Sequence, residues 1–443
     1  MAEDVQNENI TKNGETKKPV AKEPRKTEPK ENFFKRHGVF KFQYDHSAKF
    51  YPILSTKKSQ SNFTVGATLE DEVDAKLLEQ AVGECAVRFP AFKVKQKRGY
   101  AWHYLIENNA PIKVFPLDKS TPCPIDKKET NGYLFKLTSG GNKIEMTIFH
   151  GLCDGNGALE FLKTIIFAYR LLQGVKIENA DGILDHGEPF EPNELEDSFV
   201  SHYVPIKLGD VDLKKLLGGK PFRMKGKFLK GGTETDRLQV ESAEILKRAK
   251  AIGVSFTAYI TALIATALDG LDSNEKHDYV IMIPVNLRNL FESTSLRNFV
   301  TFIRVILKPH SFETIEGYAL EAQKQIAEES SKEKMARFIS TSVKAQKSVI
   351  LKITPLFLKQ FFVKLGRAFA RSRQTIIFSN LGRVKVPNEL KVNYFYVNMN
   401  TSKANAQNMS AVTTDGKSVF TLTRAIEEKD FSNSLFRLIE KGE

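Results

Sequence analysis

Apolar side chains recur along this chain at spacings of two and of three to four, and the two periods take turns. Alternation predicts strands over 61–69, 133–137, 143–149 and 235–240. Helical spacing covers 71–89, where Val73, Leu77, Leu78, Ala81, Val82 and Cys85 share a face and Pro90 closes the run. Further helices are predicted over 158–172, 242–251, 255 to about 268, and 314–327. A hairpin-like pair, 91–95 and 100–105, turns around Arg98-Gly99, and another joins 133–137 to 143–149 through Ser139-Gly140-Gly141-Asn142. Residues 279–286 are apolar almost throughout, as a strand buried on both faces requires. Strands are also expected over 299–307, on both sides of Ser379-Asn380-Leu381-Gly382, over 391–399 and over 418–424. Residues 343–371 read as mostly helical, broken at Pro355. Periodicity weakens over 175–228, which reads as a crossover between two halves. Each half mixes strands and helices, so the expected class is α/β, built as two sandwiches.

Length agrees with that division, since 443 residues exceed one ordinary core. The expected organisation is a disordered tail over 1–32, an N-terminal half over 33–200 and a C-terminal half over 201–443. The tail is rich in Glu, Lys, Pro, Asn and Thr and lacks the apolar surface to offset its ordering entropy. Cys85, Cys123 and Cys153 are odd in number and form no CxxC pair, so neither a disulfide framework nor a zinc knuckle is indicated. A reducing, cytoplasmic setting fits. The N-terminus has no apolar leader, and no run of about 18 apolar residues suggests a membrane span.

Charge adds one local feature. The net charge is +13, and between Glu333 and Glu389 there are twelve Lys and Arg residues and no acid. The rest of the chain is therefore close to neutral. Such a local field suits phosphates or an anionic membrane surface, with Leu356, Phe357, Phe361, Phe362 and Phe369 interspersed over 343–373. Nucleic acid is not indicated, because no recognition motif is present.

The densest chemistry lies at the strand-to-helix junction His150-Gly-Leu-Cys153-Asp154-Gly155-Asn-Gly157. An imidazole titrates near neutrality and can take a proton from an alcohol, amine or thiol. Gly151, Gly155 and Gly157 permit close approach, and a helix start supplies amide donors. The plain alternative is a hydrogen-bonded core histidine before a helix-entry turn. Cys153 as a nucleophile beside His150 is disfavoured, because its side chain should point away, and His103 reads as an ordinary half-buried strand residue.

His150-x-x-x-Asp154-Gly155 resembles the active-site motif of the HxxxD acyltransferase superfamily, which includes chloramphenicol acetyltransferase, condensation domains and alcohol acetyltransferases. Other segments agree in order. Ile283-Pro-Val-Asn-Leu-Arg288 resembles the strand-plus-arginine motif of condensation domains. Leu296-Arg-Asn-Phe-Val-Thr301 resembles the following Gly/Asn-Phe motif. Phe378-Ser379-Asn380-Leu381-Gly382 stands in the place of a late DFGWG-like motif but departs from it. Arg88-Phe-Pro90 and Arg98 to Leu105 resemble signatures of bacterial alcohol acetyltransferase-related proteins. The resemblance implies two chloramphenicol acetyltransferase-like α/β halves with mixed sheets and a channel between them. It implies an acyl-CoA-dependent O-acyltransferase with His150 as general base, Asp154 as a structural partner of Arg288, and Gly155 leaving room at the channel. Ser379 and Asn380 would contact the thioester or its oxyanion. Acyl-CoA would be a co-substrate, with no permanent cofactor, no metal, a small-molecule acceptor and a monomeric chain. The alternative is a non-catalytic or carrier-protein-dependent, condensation-like protein that binds acyl thioesters.

Overall fold

The computed structural model describes residues 41–56, 60–119, 121–206, 220–230, 232–271, 276–348, 353–371, 373–402 and 405–442. The tail expected over 1–32 lies outside the described residues.

Fourteen strands occur among these residues, in chain order. They are β1 Lys41–Gln43, β2 Asn62–Leu69, β3 Val94–Arg98, β4 His103–Glu107, β5 Val114–Pro116, β6 Phe135–Gly140 and β7 Lys143–Phe149. Then come β8 Glu234–Glu241, β9 Tyr279–Asn286, β10 Val300–Leu307, β11 Ile376–Val384, β12 Val392–Asn398, β13 Gln407–Thr414 and β14 Lys417–Arg424. One sheet runs β12-β2-β7-β6-β5, a second β10-β9-β11-β13-β14-β8, and β1, β4 and β3 form a small third. Both large sheets are mixed: β5–β6, β9–β11 and β11–β13 are parallel and the other pairs antiparallel.

The first sheet has a dry face and a polar one. Ile144, Met146 and Ile148 of β7 join a core with Phe89, Phe92, Phe135 and Phe161, capped by helices Ala75–Arg88 and Gly155–Leu172. The alternate residues of β7 hydrogen-bond instead. Thr147 meets Thr64 at 2.7 Å, and Glu145 accepts from the Tyr396 hydroxyl at 2.8 Å. Arg237 of β8 lies over the Tyr396 ring and donates to Asn398 at 2.9 Å, so the two large sheets meet through polar contacts. In the second sheet, helices Phe256–Asp269, Ile315–Glu329 and Asp430–Lys441 contribute to a separate core.

β12 ties the halves together. It pairs with β2 in the first sheet, yet Phe395 N donates to Thr414 Oγ1, and Ser410 Oγ donates to Val397 O. A strand late in the chain thus completes the earlier sheet and crosses the expected division at residue 200.

Several expectations shift in detail. The hairpin expected around Arg98-Gly99 turns at 99–102, because β4 begins at His103. The helix expected from 158 begins at Gly155, and that expected from 71 begins after Asp74, which caps it through Lys76 and Leu77 amides. β13 and helix Asp430–Lys441 add elements that the periodicity reading did not assign. The basic segment forms helix Lys332–Gln346 and helix Leu356–Arg371, the second starting immediately after Pro355, and 349–352 lie outside the described residues.

The crossover is not loose where it touches the first half. Glu194 is buried and paired in two-pronged fashion with Arg88 at 2.5 and 2.7 Å. The same stretch fixes the 295–298 loop: Leu296 N donates to Glu194 O at 2.8 Å, and Ser295 Oγ to Glu196 O at 2.7 Å.

Candidate active site

β7 ends at Phe149, and His150 stays aligned with the sheet because its N–H donates to Ser61 O at 2.8 Å. The chain then turns, and Asp154 caps the next helix by accepting from Gly157 N. The two ends of this turn do different work.

Asp154 is 1% exposed and saturated with donors. Arg288 reaches it with two nitrogens, at 2.8 and 3.1 Å, and Phe299 N donates to it at 2.9 Å. The guanidinium spends its other donors on Ser295 O, Arg297 O and Asn286 Oδ1. This forked, charge-assisted geometry fixes the start of β10 against the start of helix Gly155–Leu172. Asp154 therefore has no lone pair directed at a substrate.

Two glycines permit this closeness. A Cβ on Gly157 would stand 2.0 Å from Leu296 O, an impossible overlap with backbone. A Cβ on Gly155 would stand 2.7 Å from Leu381 Cδ2. The room expected at Gly155 is therefore taken by a side chain of the second half.

His150 belongs to a different network. Its Nδ1 lies 3.1 Å from Asn298 Oδ1. The Asn298 amide nitrogen donates to Asp45 Oδ2 at 3.1 Å, and the Asn298 backbone N–H reaches the same oxygen at 3.2 Å. Asp45 is fully buried, and its other oxygen accepts from Ala48 N at 2.7 Å and Ser47 Oγ at 3.0 Å. An ionised carboxylate only accepts, so the Asn298 NH₂ must face Asp45 and its carbonyl must face His150. His150 Nδ1 is then the protonated nitrogen, and Nε2 carries the free lone pair.

Burial lowers the His150 pKa below the ordinary histidine value. Its own backbone carbonyl, the Asp154 charge, the Asn298 bond and the Asp45 charge oppose this without reversing it. The imidazole is consequently neutral at neutral pH. Tyr51 stacks on the ring at 4.7 Å with planes 11° apart, and Phe63 lies 4.9 Å away, tilted by 59°. The ring thus has aromatic walls and one unprotonated nitrogen.

Ser379 and Asn380 lie in β11 beside Ser410 and Ala411 of β13. Asn380 is occupied by local structure: its amide donates to Thr257 Oγ1 at 3.1 Å, and its carbonyl accepts from Gly382 N at 3.0 Å, across a register shift in the strand. Leu381, next in sequence, is the residue that meets Gly155. β11 is therefore brought to the His150–Gly155 turn, with Ser379 half-buried.

Cys153 is fully buried, and burial raises its thiol pKa well above the usual value. That is an inert environment rather than a nucleophile's. His103 is half-buried in β4, and burial lowers its pKa to about 4. Among the described residues, no cluster of three or more His, Cys, Asp or Glu side chains is placed to hold a metal.

Asp45 and Tyr51 complete the site without having been singled out in the sequence, together with Arg297 from the Leu296–Thr301 motif. Arg297 donates to Gln43 O at 2.6 Å and Leu195 O at 3.3 Å, and lies 3.9 Å from Asp45. The only local signal for Asp45 is the Asp-x-Ser turn before a short helix, which says nothing of a partner 253 residues away.

No protein-family model matches the sequence, and a search of curated proteins returns no match. Solved structures do match over nearly the whole chain. The trichothecene 15-O-acetyltransferase TRI3 of Fusarium sporotrichioides is 12% identical with a TM-score of 0.63, over 91% of this chain and 94% of that one. TRI101 of F. sporotrichioides, solved with coenzyme A and T-2, is 11% identical with a TM-score of 0.58, over 89% and 96%. The epimerization domain from the third module of tyrocidine synthetase B is 14% identical with a TM-score of 0.55, over 91% and 96%. The chain has the two-lobed chloramphenicol acetyltransferase-like, condensation-domain fold. That fold belongs to an acetyltransferase, to a protein solved with coenzyme A and to an epimerization domain, so the reaction must be argued from the site.

Proposed function

We propose that this protein is an O-acyltransferase moving an acyl group from acyl-CoA to a small-molecule alcohol. One observation carries the reading: the Asp45–Asn298 pair holds His150 in the tautomer whose Nε2 is a free base, in surroundings that keep it neutral. The acceptor hydroxyl donates to Nε2, and its oxygen attacks the thioester carbonyl as the proton passes to the ring. When the tetrahedral intermediate collapses, the C–S bond breaks and the imidazolium returns the proton to the leaving thiolate. No redox step is involved, and acyl-CoA is consumed as a co-substrate. Ser379 is the candidate donor to the oxyanion. The Asp154–Arg288 pair positions the turn without touching substrate. The same fold in a 15-O-acetyltransferase and in a protein solved with coenzyme A supports the choice of acyl transfer.

The test is free thiol and ester product, measured with acetyl-CoA and longer acyl-CoAs against a panel of alcohols and amines. Thiol released in step with ester is the expected result. Activity only with amines, or only with a carrier-bound thioester, would contradict the acceptor or donor assignment. No turnover across the panel would favour a protein that binds thioesters without reacting.

A further inference from the structure

We propose that the face formed by helix Leu356–Arg371 docks onto an anionic phospholipid bilayer. Phe357, Phe361, Phe362 and Leu365 are each 61 to 65% exposed, and Leu358 is 42% exposed. Their spacing of one, three and four places them on one side of the helix. Ile353, just before the helix, and Tyr100, in the turn it rests on, are 65 and 75% exposed and extend the surface. Soluble proteins seldom leave so many large apolar side chains together in water.

The helix is anchored rather than loosely attached. Leu356 is buried and its N–H donates to Tyr100 O at 3.0 Å. Lys359 is also buried, donating to Ala101 O at 2.8 Å with its ammonium 3.9 Å from the Trp102 ring centroid. The opposite side therefore faces outward on a fixed support.

Charge selects the occupant. Besides the inward-held Lys359, the helix sequence carries Lys364, Arg367 and Arg371 and no acidic residue, within a 55-residue stretch that has none. A second copy of this chain would bring the same cations together across the contact. An anionic lipid surface accepts both features, taking apolar side chains at the acyl boundary and cations at the headgroups. No single helix among the described residues is long and apolar enough to cross a membrane, so the contact proposed is a surface one. The helix also packs on the short helix Tyr51–Leu54, whose Tyr51 ring stacks on His150. The docked face thus lies one helix away from the catalytic imidazole.

The experiment is flotation of the full chain with phosphatidylcholine vesicles, with and without phosphatidylserine. It is compared with a variant carrying Phe357→Ser, Phe361→Ser, Phe362→Ser and Leu365→Ser. The wild-type chain should float with the anionic vesicles. Raising salt from about 0.1 M to about 1 M, which shortens screening from about 10 to about 3 Å, should weaken the binding. The variant should partition more than about tenfold less while keeping its melting temperature. His150→Ala should float like the wild type, which separates this test from that of catalysis. Failure of the wild type to float at either salt would overturn the proposal, as would equal flotation of the variant. A dimer that the variant dissolves, with no vesicle binding, would make the face an interface between copies and overturn it equally.

Discussion

In the proposed reaction, His150 becomes a base through residues that do not touch substrate. A neutral imidazole has two tautomers, and only one leaves Nε2 free. Here the choice is made by Asp45, which orients Asn298, which accepts from Nδ1. Asn298→Ala should lower kcat, by less than the loss at His150→Ala, and should change the ¹⁵N signature of the imidazole tautomer. Because the Asn298 bond raises the His150 pKa, its removal should move the acid limb of kcat/KM to still lower pH. A purely structural role would leave both readouts in place. His150 and Asp154 were legible in the sequence as a pair at a strand end, and the family resemblance implied their separate roles and the Arg288 partner, but the geometry that enforces those roles was not legible. It depends on contacts to residues 288 and 298, more than 130 positions away.

At the scale of elements, the turn 150–157 is clamped by Arg288, just after β9, and Phe299, just before β10. Asp154→Ala should leave the half-buried guanidinium without its charged partner and the helix without its cap, costing about 3 kcal/mol in chemical denaturation. A double-mutant cycle with Arg288→Ala should show coupling, and independent effects would dismiss the clamp. Gly157→Ala should also destabilise, since the Leu296 carbonyl cannot yield as a flexible side chain would. Core helices and hairpins were readable because burial imposed a clean period. β13, reading QNMSAVTT, was not. It is buried between β11 and β14, yet Asn408 and Ser410 hydrogen-bond to neighbouring backbone groups. Only Met409, Ala411 and Val412 carry apolar surface into the cores, among buried Gln407, Asn408 and Ser410, so the apolar period is too weak to read.

Across the whole molecule, acid should act on folding through groups with opposite signs. Burial lowers His46 and His103 to about 4, so the unfolded chain takes those protons first, and stability is lost as pH falls from the ordinary histidine range toward 4. Asp197 runs the other way. Burial raises it to about 6, so the folded chain takes that proton first and gains stability over the lower part of the window. His150 is lowered in the same way, so three histidines stand against one carboxyl; the melting temperature should fall on acidification, and Asp197→Asn should make the fall steeper by removing the opposing group. At this scale the two-part α/β architecture was legible from the return of mixed periodicity after 228. The crossing of β12 into the first sheet was not, because strand order depends on partners rather than on local pattern.

General-base catalysis by His150 is tested most directly by thiol release from acyl-CoA in the presence of an alcohol, in wild type and in His150→Ala, as pH is lowered. Wild-type kcat/KM should hold through about 6.5, the ordinary histidine value, and fall only below it, as the lowered pKa of the buried ring requires. The folded variant should be slower by about 10²–10⁴ and lose that limb. Equal rates in the two proteins, with the same pH profile, would contradict the account.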